Sequence, residues 1–321
     1  MRYLLTGAAG FIGSNFAKLL INLEQADCEK ITVIDKLTYA GNLENLAAIT
    51  DSRFEFIHGD ICDTKLVSDL LTNHDVVFHF AAESHVDRSI SGPSDFVQTN
   101  VVGTQVLLDA VRKNPKVRFV HVSTDEVYGS IYTGSWDENY PLVPNSPYSA
   151  SKASSDLLAL AYARTYDLDI VVTRCCNNYG PNQFPEKMIP LFVTNLMDAK
   201  KVPLYGDGQN IREWIHVEDH CRAIWDVAQK GRAGEVYNIG SGVELTNLEL
   251  TKLILIEFGC GDEMIEQVAD RLNHDRRYSL SSSKIENELG WKPQWGFEDG
   301  IKSTIDWYKS NRSWWEPLKT R

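Results

Sequence analysis

Positive charge is scarce in this chain. Its 321 residues carry 32 Lys and Arg against 44 Asp and Glu, a formal net charge of −12. Binding to a phosphate backbone is driven by lysine and arginine, so a nucleic-acid partner is not expected. An anionic small ligand stays possible, provided a local basic pocket receives it. Paired cysteines are missing as well. Cys28, Cys62, Cys175, Cys176, Cys221 and Cys260 are scattered and form no CxxC, the pattern of reduced cytosolic thiols rather than of a disulfide framework or a zinc site. No apolar run approaches the ~20 residues that span a bilayer. No secretory signal precedes the first strand, and there is no repeat or low-complexity tract. The expectation is a cytoplasmic protein that engages no membrane.

What is present is an ordinary globular composition, 43% hydrophobic and 24% charged, at a length that supports two lobes. Short β-rich runs at 3–6, 31–35, 54–58, 76–81, 118–123 and 170–173 alternate with helical spacing, as at 96–111 and 149–166. This alternation predicts an α/β fold: right-handed crossovers and a Rossmann-type doubly wound parallel sheet, with ligands at the carboxyl ends of the strands. After Asn177 the rhythm loosens around Pro181, Pro185, Pro190 and Pro203. A smaller, mostly C-terminal substrate-binding lobe is expected there. "LLALAYA" (157–163) is apolar nearly all round its helix, which requires burial on two sides. A dimer interface or an overlying loop would each supply it.

"TGAAGFIG" places Gly7, Gly10 and Gly13 between the first strand and a helix. Glycines there let the backbone approach a pyrophosphate at the helix N-terminus. Asp35, twenty-two residues past Gly13, ends the second strand, where a carboxylate takes a ribose 2′-hydroxyl and repels a 2′-phosphate. NAD is therefore the expected cofactor, although Lys36 next door softens the choice. "SPYSASKA" sets Tyr148 and Lys152 four apart on one helical face. A free tyrosine titrates near ~10; a neighbouring ammonium favours its phenolate and makes it a usable base.

"STDEVYG" (123–129) follows the apolar "RFVHV" and puts Asp125 beside Glu126 where a buried strand ends. Bare carboxylates are costly there unless paired or hydrogen-bonded. One reading is a turn, in which Ser, Thr and Asp bond nearby backbone. The other is an acid and a base made from like residues, since two adjacent carboxyls cannot easily both ionise.

Thr124 lies twenty-four residues before Tyr148. With the glycines, this resembles the extended, sugar-nucleotide branch of the short-chain dehydrogenases/reductases, in which Ser/Thr, Tyr and Lys form the hydride-transfer triad. The 4-epimerases of that branch lack acids after the triad Ser/Thr. The nucleotide-sugar 4,6-dehydratases have them, and "AAESHVDRS", "NNYGPNQFPEKMIP", "YGDGQNIREWIHVEDH" and "HDRRY" resemble that family too, over nearly the whole chain. Removing water across C5–C6 of a hexose needs a base for one atom and an acid for its neighbour. The resemblance implies that Asp125 is the acid and Glu126 the base, with Thr124, Tyr148 and Lys152 as the triad.

The resemblance also implies an NAD-binding domain at 1–176, completed by 213–240, and a nucleotide-sugar lobe at 177–212 and 241–321. It assigns Phe11, Ile12, Lys36, Leu37, Thr38, Asp60 and Ile61 to NAD, together with Phe80, Ala81, Ala82, Ser84, Thr99, Tyr148, Lys152 and Asn178. NAD ends each cycle as it began, so it is a bound cofactor. The implied substrate is dTDP-glucose or a similar nucleotide sugar, held by Ser84, Asn177, Lys187, Met188 and Pro203 and by Tyr205, Arg212, Asn247, Arg271 and His274, alongside Thr124, Asp125 and Glu126. Arginine suits a diphosphate because its fork bonds two oxygens. A homodimer is implied, and no metal: His216 and His220 stand four apart in "HVEDH" without a third ligand or an HExxH. A UDP-sugar dehydratase or 4-epimerase remains open, as does a non-catalytic NAD-sensing module. Two positions depart from the family pattern, Asn273 in place of Gly and Cys176 in place of Ser.

Overall fold

Alternate residues of the first strand feed opposite cores: Tyr3 and Leu5 pack on one face of the sheet and Leu4 on the other. That is the signature of a strand covered on both sides. The protein is described from a computed structural model, covering residues 1–23 and 27–320; residues 24–26 of the expected first domain, and Arg321, where the second lobe was drawn to end, lie outside the description. The strands are β1 (Arg2–Thr6), β2 (Lys30–Asp35), β3 (Phe54–His58), β4 (Val76–His79), β5 (Arg118–Thr124), β6 (Ile170–Cys175), β7 (Asn177–Tyr179), β8 (Val202–Tyr205), β9 (Ile211–His216), β10 (Val236–Ile239), β11 (Glu244–Thr246) and β12 (Ile265–Val268).

Seven of them form one sheet in the order β10-β6-β5-β4-β1-β2-β3, and every pair in it is parallel. The order reverses between β1 and β4, and at such a switch the flanking crossovers part and leave a crevice beyond the strand ends. Register aligns what stands there: Thr6 pairs with Ile34 and His79, Asp35 with His58, and Thr124 with Cys175. The smaller sheets, β11-β9-β7 and β12-β8, belong to the second core, built around Tyr179, Trp214, Leu250 and Trp315.

Two expectations are corrected. The strand read as 76–81 stops at His79: the Phe80 N–H still reaches the Thr6 carbonyl, but the Ala81 N–H leaves the ladder for the Thr6 hydroxyl. The helix read as 96–111 is interrupted by a π-helical stretch, Val97–Gly103, before it resumes as Thr104–Lys113. Such irregularities gather at functional sites. Here it carries Thr99 to the cleft and buries Asn100.

Candidate active site

Gly7 is left-handed, with φ +69, and a Cβ on it would lie 2.4 Å from the Ala81 Cα. A Cβ on Gly13 would lie 2.6 Å from the Ala8 Cα. Both positions thus exclude any larger residue. The helix Phe11–Asn22 opens at Gly10 without a side-chain cap, so its first amides are free to meet an anion. Gly7, Gly10, Phe11, Ile12 and Gly13 all line the cleft at this point.

Asp35 lines the same cleft. Its Oδ2 accepts the Ala9 N–H at 2.9 Å and its Oδ1 the Leu37 N–H at 2.8 Å. Burial pushes this carboxyl up, and the two N–H groups pull it back. Each oxygen keeps a lone pair for a ribose hydroxyl. Lys36 turns to Asp60 at 2.7 Å. Thr38, Asp60, Ile61, Phe80, Ala81, Ala82, Ser84, Thr99 and Asn178 complete this wall. Leu37 is not part of it; left-handed at φ 54, it serves through its N–H. Uncapped amides, glycines packed to the limit and a carboxylate at the β2 end fit a dinucleotide.

On the opposite side, Ser146 and Ser149 cap each other and Pro147 opens the helix Pro147–Tyr166. The cap puts Tyr148 in the first turn and Lys152 in the second, both buried and both on the cleft. Lys152 Nζ donates to the Val122 carbonyl at 2.9 Å, and burial lowers its pKa to about 8. One turn on, Asp156 is fully buried and accepts from Arg174 Nε at 2.8 Å. Burial opposes its charge, yet Arg174 and His121 hold its carboxyl down at about 2. Burial and the charge of Glu126 push the Tyr148 phenol well up, while the Thr124 hydroxyl acts the other way. In this chain alone, the expected phenolate is therefore not favoured.

The two acids lie on one turn of 3₁₀-helix, Asp125–Tyr128, directly after β5. Thr124 caps it by accepting the Glu126 N–H at 3.3 Å, and its hydroxyl donates to Asp125 Oδ1 at 3.1 Å. The backbone does make a turn here, and both carboxyls still line the cleft beside Tyr148. Asp125 is 1% exposed and its Oδ2 has no partner. Burial, then the charges of Glu126 and Glu213, push it well above the carboxylate range. Burial also raises Glu126, but Lys187, Arg212 and Arg271 oppose that rise. Both carboxyls are raised, Asp125 the further, and the cations act most on Glu126. Unequal surroundings of this kind can divide like residues into a proton donor and a proton acceptor.

Asn177, Lys187 and Met188 reach the cleft, the lysine donating to the Ser84 carbonyl at 2.9 Å. Pro203, Tyr205, Arg212, Asn247, Arg271 and His274 do not line it. Four of them form a second cluster in the smaller lobe: Arg271 lies 5.7 Å over the Tyr205 ring, His274 stands 6.5 Å from that ring, edge to face, and Arg212 and Arg271 both act on His274. Arg212 spends donors on the carbonyls of Ile211 and Asp275 and lies 4.1 Å over Tyr278. The positive charges of Arg212 and Arg271 connect this cluster to Glu126.

Asn273 holds a left-handed φ of 51, as glycine would, and donates to the Asn145 carbonyl. Cys176 is buried beneath the cleft. His216 and His220 are structural: one caps the helix Val217–Lys230, and the other meets Asn178 Oδ1 at 2.8 Å. Among the described residues no three His, Cys, Asp or Glu side chains are grouped to hold a metal.

Sequence reasoning missed Tyr39, Glu83, Cys175, Glu186 and Trp214 on the cleft wall. It also missed Asn100, whose amide bonds both backbone groups of Glu83 and the Ser151 hydroxyl. Glu186 had a signal, its place beside Lys187. Asn100 had none, because the π-helical turn that aims it breaks helical spacing.

The model of the family described as GDP-mannose 4,6 dehydratase matches residues 4–304. A dTDP-glucose 4,6-dehydratase of Streptomyces antibioticus is 60% identical, over 100% of this chain and 96% of its own length. The enzyme of the same name from Streptomyces niveus is 58% identical over the same shares. Among solved structures, DesIV from Streptomyces venezuelae, a dTDP-glucose 4,6-dehydratase crystallised with NAD and dTDP bound, superposes with a TM-score of 0.98 at 58% identity, covering 99% of this chain and 100% of that one. With the glycine cradle, the triad and the paired acids in one cleft, the chain belongs to the nucleotide-sugar 4,6-dehydratase family.

Proposed function

We propose that the chain is a lyase that converts dTDP-glucose to dTDP-4-keto-6-deoxy-glucose. The observation that carries this reading is the unequal pair standing beside Tyr148 in a cleft that fits NAD: Asp125, almost wholly buried with an unpartnered Oδ2, and Glu126, on which three cations act. When bound, NAD would supply the acceptor for the C4 hydride, a positive ring, and the same hydride back to C6 once water has left. Tyr148 takes the proton of the sugar 4-hydroxyl, while Thr124 orients that hydroxyl and Lys152 holds positive charge beneath the site. The resulting 4-ketone acidifies C5. Glu126 removes the C5 proton as Asp125 protonates the departing C6 hydroxyl, and a proton later returns to C5 from the enzyme or from solvent.

Residues 1–176 with 213–240 serve NAD in this reading, and 177–212 with 241–321 the nucleotide sugar. Lys187, Arg212 and Arg271 answer the diphosphate's charge inside an acidic protein, and Tyr205 offers a face for the base. Scattered thiols and net negative charge support a cytoplasmic enzyme without nucleic-acid partners. None of the described helices is long and apolar enough to cross a membrane. A homodimer is proposed through the helix Pro147–Tyr166, where Leu157 is 58% exposed while Ala159, Leu160 and Ala163 are buried. The test is incubation of the NAD-loaded enzyme with dTDP-glucose and, separately, UDP-glucose. A 4-keto-6-deoxy product from the first supports the reading, product only from the second moves it to uridine sugars, and turnover of neither sinks it.

A further inference from the structure

One short helix of the larger lobe, Val86–Ser91, grips two loops of the smaller one with adjacent residues of opposite sign. Arg88 Nε donates to Glu186 Oε2 at 3.1 Å, and its guanidinium lies 4.0 Å over the Tyr39 ring. Asp87 meets Arg271 across 184 positions of sequence: Nε donates to Oδ1 at 2.6 Å and Nη2 to Oδ2 at 2.9 Å. This is the two-point fork that fixes a guanidinium in plane, and it leaves Nη1 outside the pair. The side chains are 22% exposed for Arg271 and 37% for Asp87.

Arg271 is the arginine of the second cluster that is tied to the larger lobe. It covers Tyr205 and its charge reaches Glu126. Left free, an arginine samples many rotamers, and ordering one at the moment of binding costs affinity. Resting on the reading of Arg271 as a diphosphate contact, we propose that Asp87 is a positioning residue for substrate binding. It holds the Arg271 fork in one plane, so that a nucleoside diphosphate meets donors already ordered.

A second effect has the opposite sign. Asp87 is an anion near an anion site, so neutralising it adds attraction for the diphosphate. At a partly exposed, salt-screened position that gain is small, whereas the loss of a two-point contact frees the whole side chain. Orientation wins.

Calorimetric titration of the NAD-loaded enzyme with dTDP tests this, with thymidine as the phosphate-free probe. Asp87→Asn is expected to weaken dTDP about five- to tenfold, the cost of ordering one rotamer-rich side chain. Thymidine affinity should be unchanged, and turnover should show a raised KM with kcat retained. Arg271→Met should weaken dTDP by itself, and adding Asp87→Asn to it should cost nothing more, because Asp87 acts only through Arg271. Asp87→Glu should restore part of the affinity. Unchanged or tighter dTDP binding by Asp87→Asn, with Arg271→Met still weak, overturns the positioning role alone. Unchanged binding by Arg271→Met overturns the diphosphate reading and the proposal with it.

Discussion

Asp125 and Glu126 are neighbours in sequence that meet opposite electrostatics: Asp125 is shut away with its Oδ2 unpartnered, and Glu126 faces Lys187, Arg212 and Arg271. If the pair serves elimination only, Asp125→Asn with Glu126→Gln leaves the oxidation of C4 intact. Reduced nicotinamide should then accumulate on mixing with dTDP-glucose, while overall turnover falls by at least ~10²-fold, the usual worth of general acid–base groups. Release of ketosugar at the parental rate by the double variant would return "STDEVYG" to the status of an acidic turn.

The same asymmetry sets the pH dependence. A donor whose carboxyl is raised works below its shifted value, so Asp125 imposes the alkaline limb. Glu126 must be ionised, so it imposes the acid limb. Lys187 favours the ionised form, and Lys187→Met is expected to move the acid limb of kcat to higher pH while the alkaline limb stays in place. A pH profile of product formation with the acid limb unmoved would show that Lys187 does not set the ionisation of Glu126.

Tyr148→Phe removes the group that takes the 4-hydroxyl proton. Rapid mixing of the NAD-loaded variant with substrate should give almost no reduced-nicotinamide signal, a loss on the order of 10²–10⁴-fold. A parental rate in that step would assign the base elsewhere.

Asp35 organises the cradle as well as facing it, because it accepts from both Ala9 and Leu37. Asp35→Asn keeps one acceptor, now neutral, and sets an amide NH2 against the other N–H, so NAD affinity should fall by about tenfold or more. Retention of NAD through gel filtration, followed by titration of the stripped protein, reads this directly; undiminished affinity would leave the loop's shape to the glycines alone.

The proposed homodimer rests on a stripe around Leu157, next to the π-helical segment whose Val97 is 51% exposed. Leu157→Glu should sediment as monomer at micromolar concentration where the parent sediments as dimer. A parent that is itself monomeric would dispose of the interface.

The main sheet was legible because all its strands but the edge strand β3 are buried on both faces and carry a β-branched or apolar core, as "RYLLT", "KITVID" and "RFVHVST" do. Gly7 and Gly13 were legible because backbone lies within 2.4–2.6 Å of where their Cβ atoms would be, which forbids alternatives. β7, β8, β11 and β12 were not, since strands of three or four residues are too short for a periodic signal and, unlike β4, none of these is buried along its whole length. The state of Tyr148 escaped for a different reason. Spacing told that Lys152 shares its face, but not that the ammonium is spent on Val122 or that Glu126 raises the phenol. Partners distant in sequence, such as Asp87 with Arg271, leave no local mark at all.

The strand β10 pairs with β6 only after the chain has left for β7, β8 and β9 and come back. No single cut can therefore separate the lobes. A break after Cys176 leaves the larger sheet without an edge strand, and a break after Ile239 strands the smaller core's β7 and β9 on the wrong fragment. Exchanging the sugar-binding half between relatives requires two junctions, and recombination at one point yields two incomplete cores. The topology thus leaves substitution within the lobe, or loops grafted in place, as the simpler routes to a change in sugar preference.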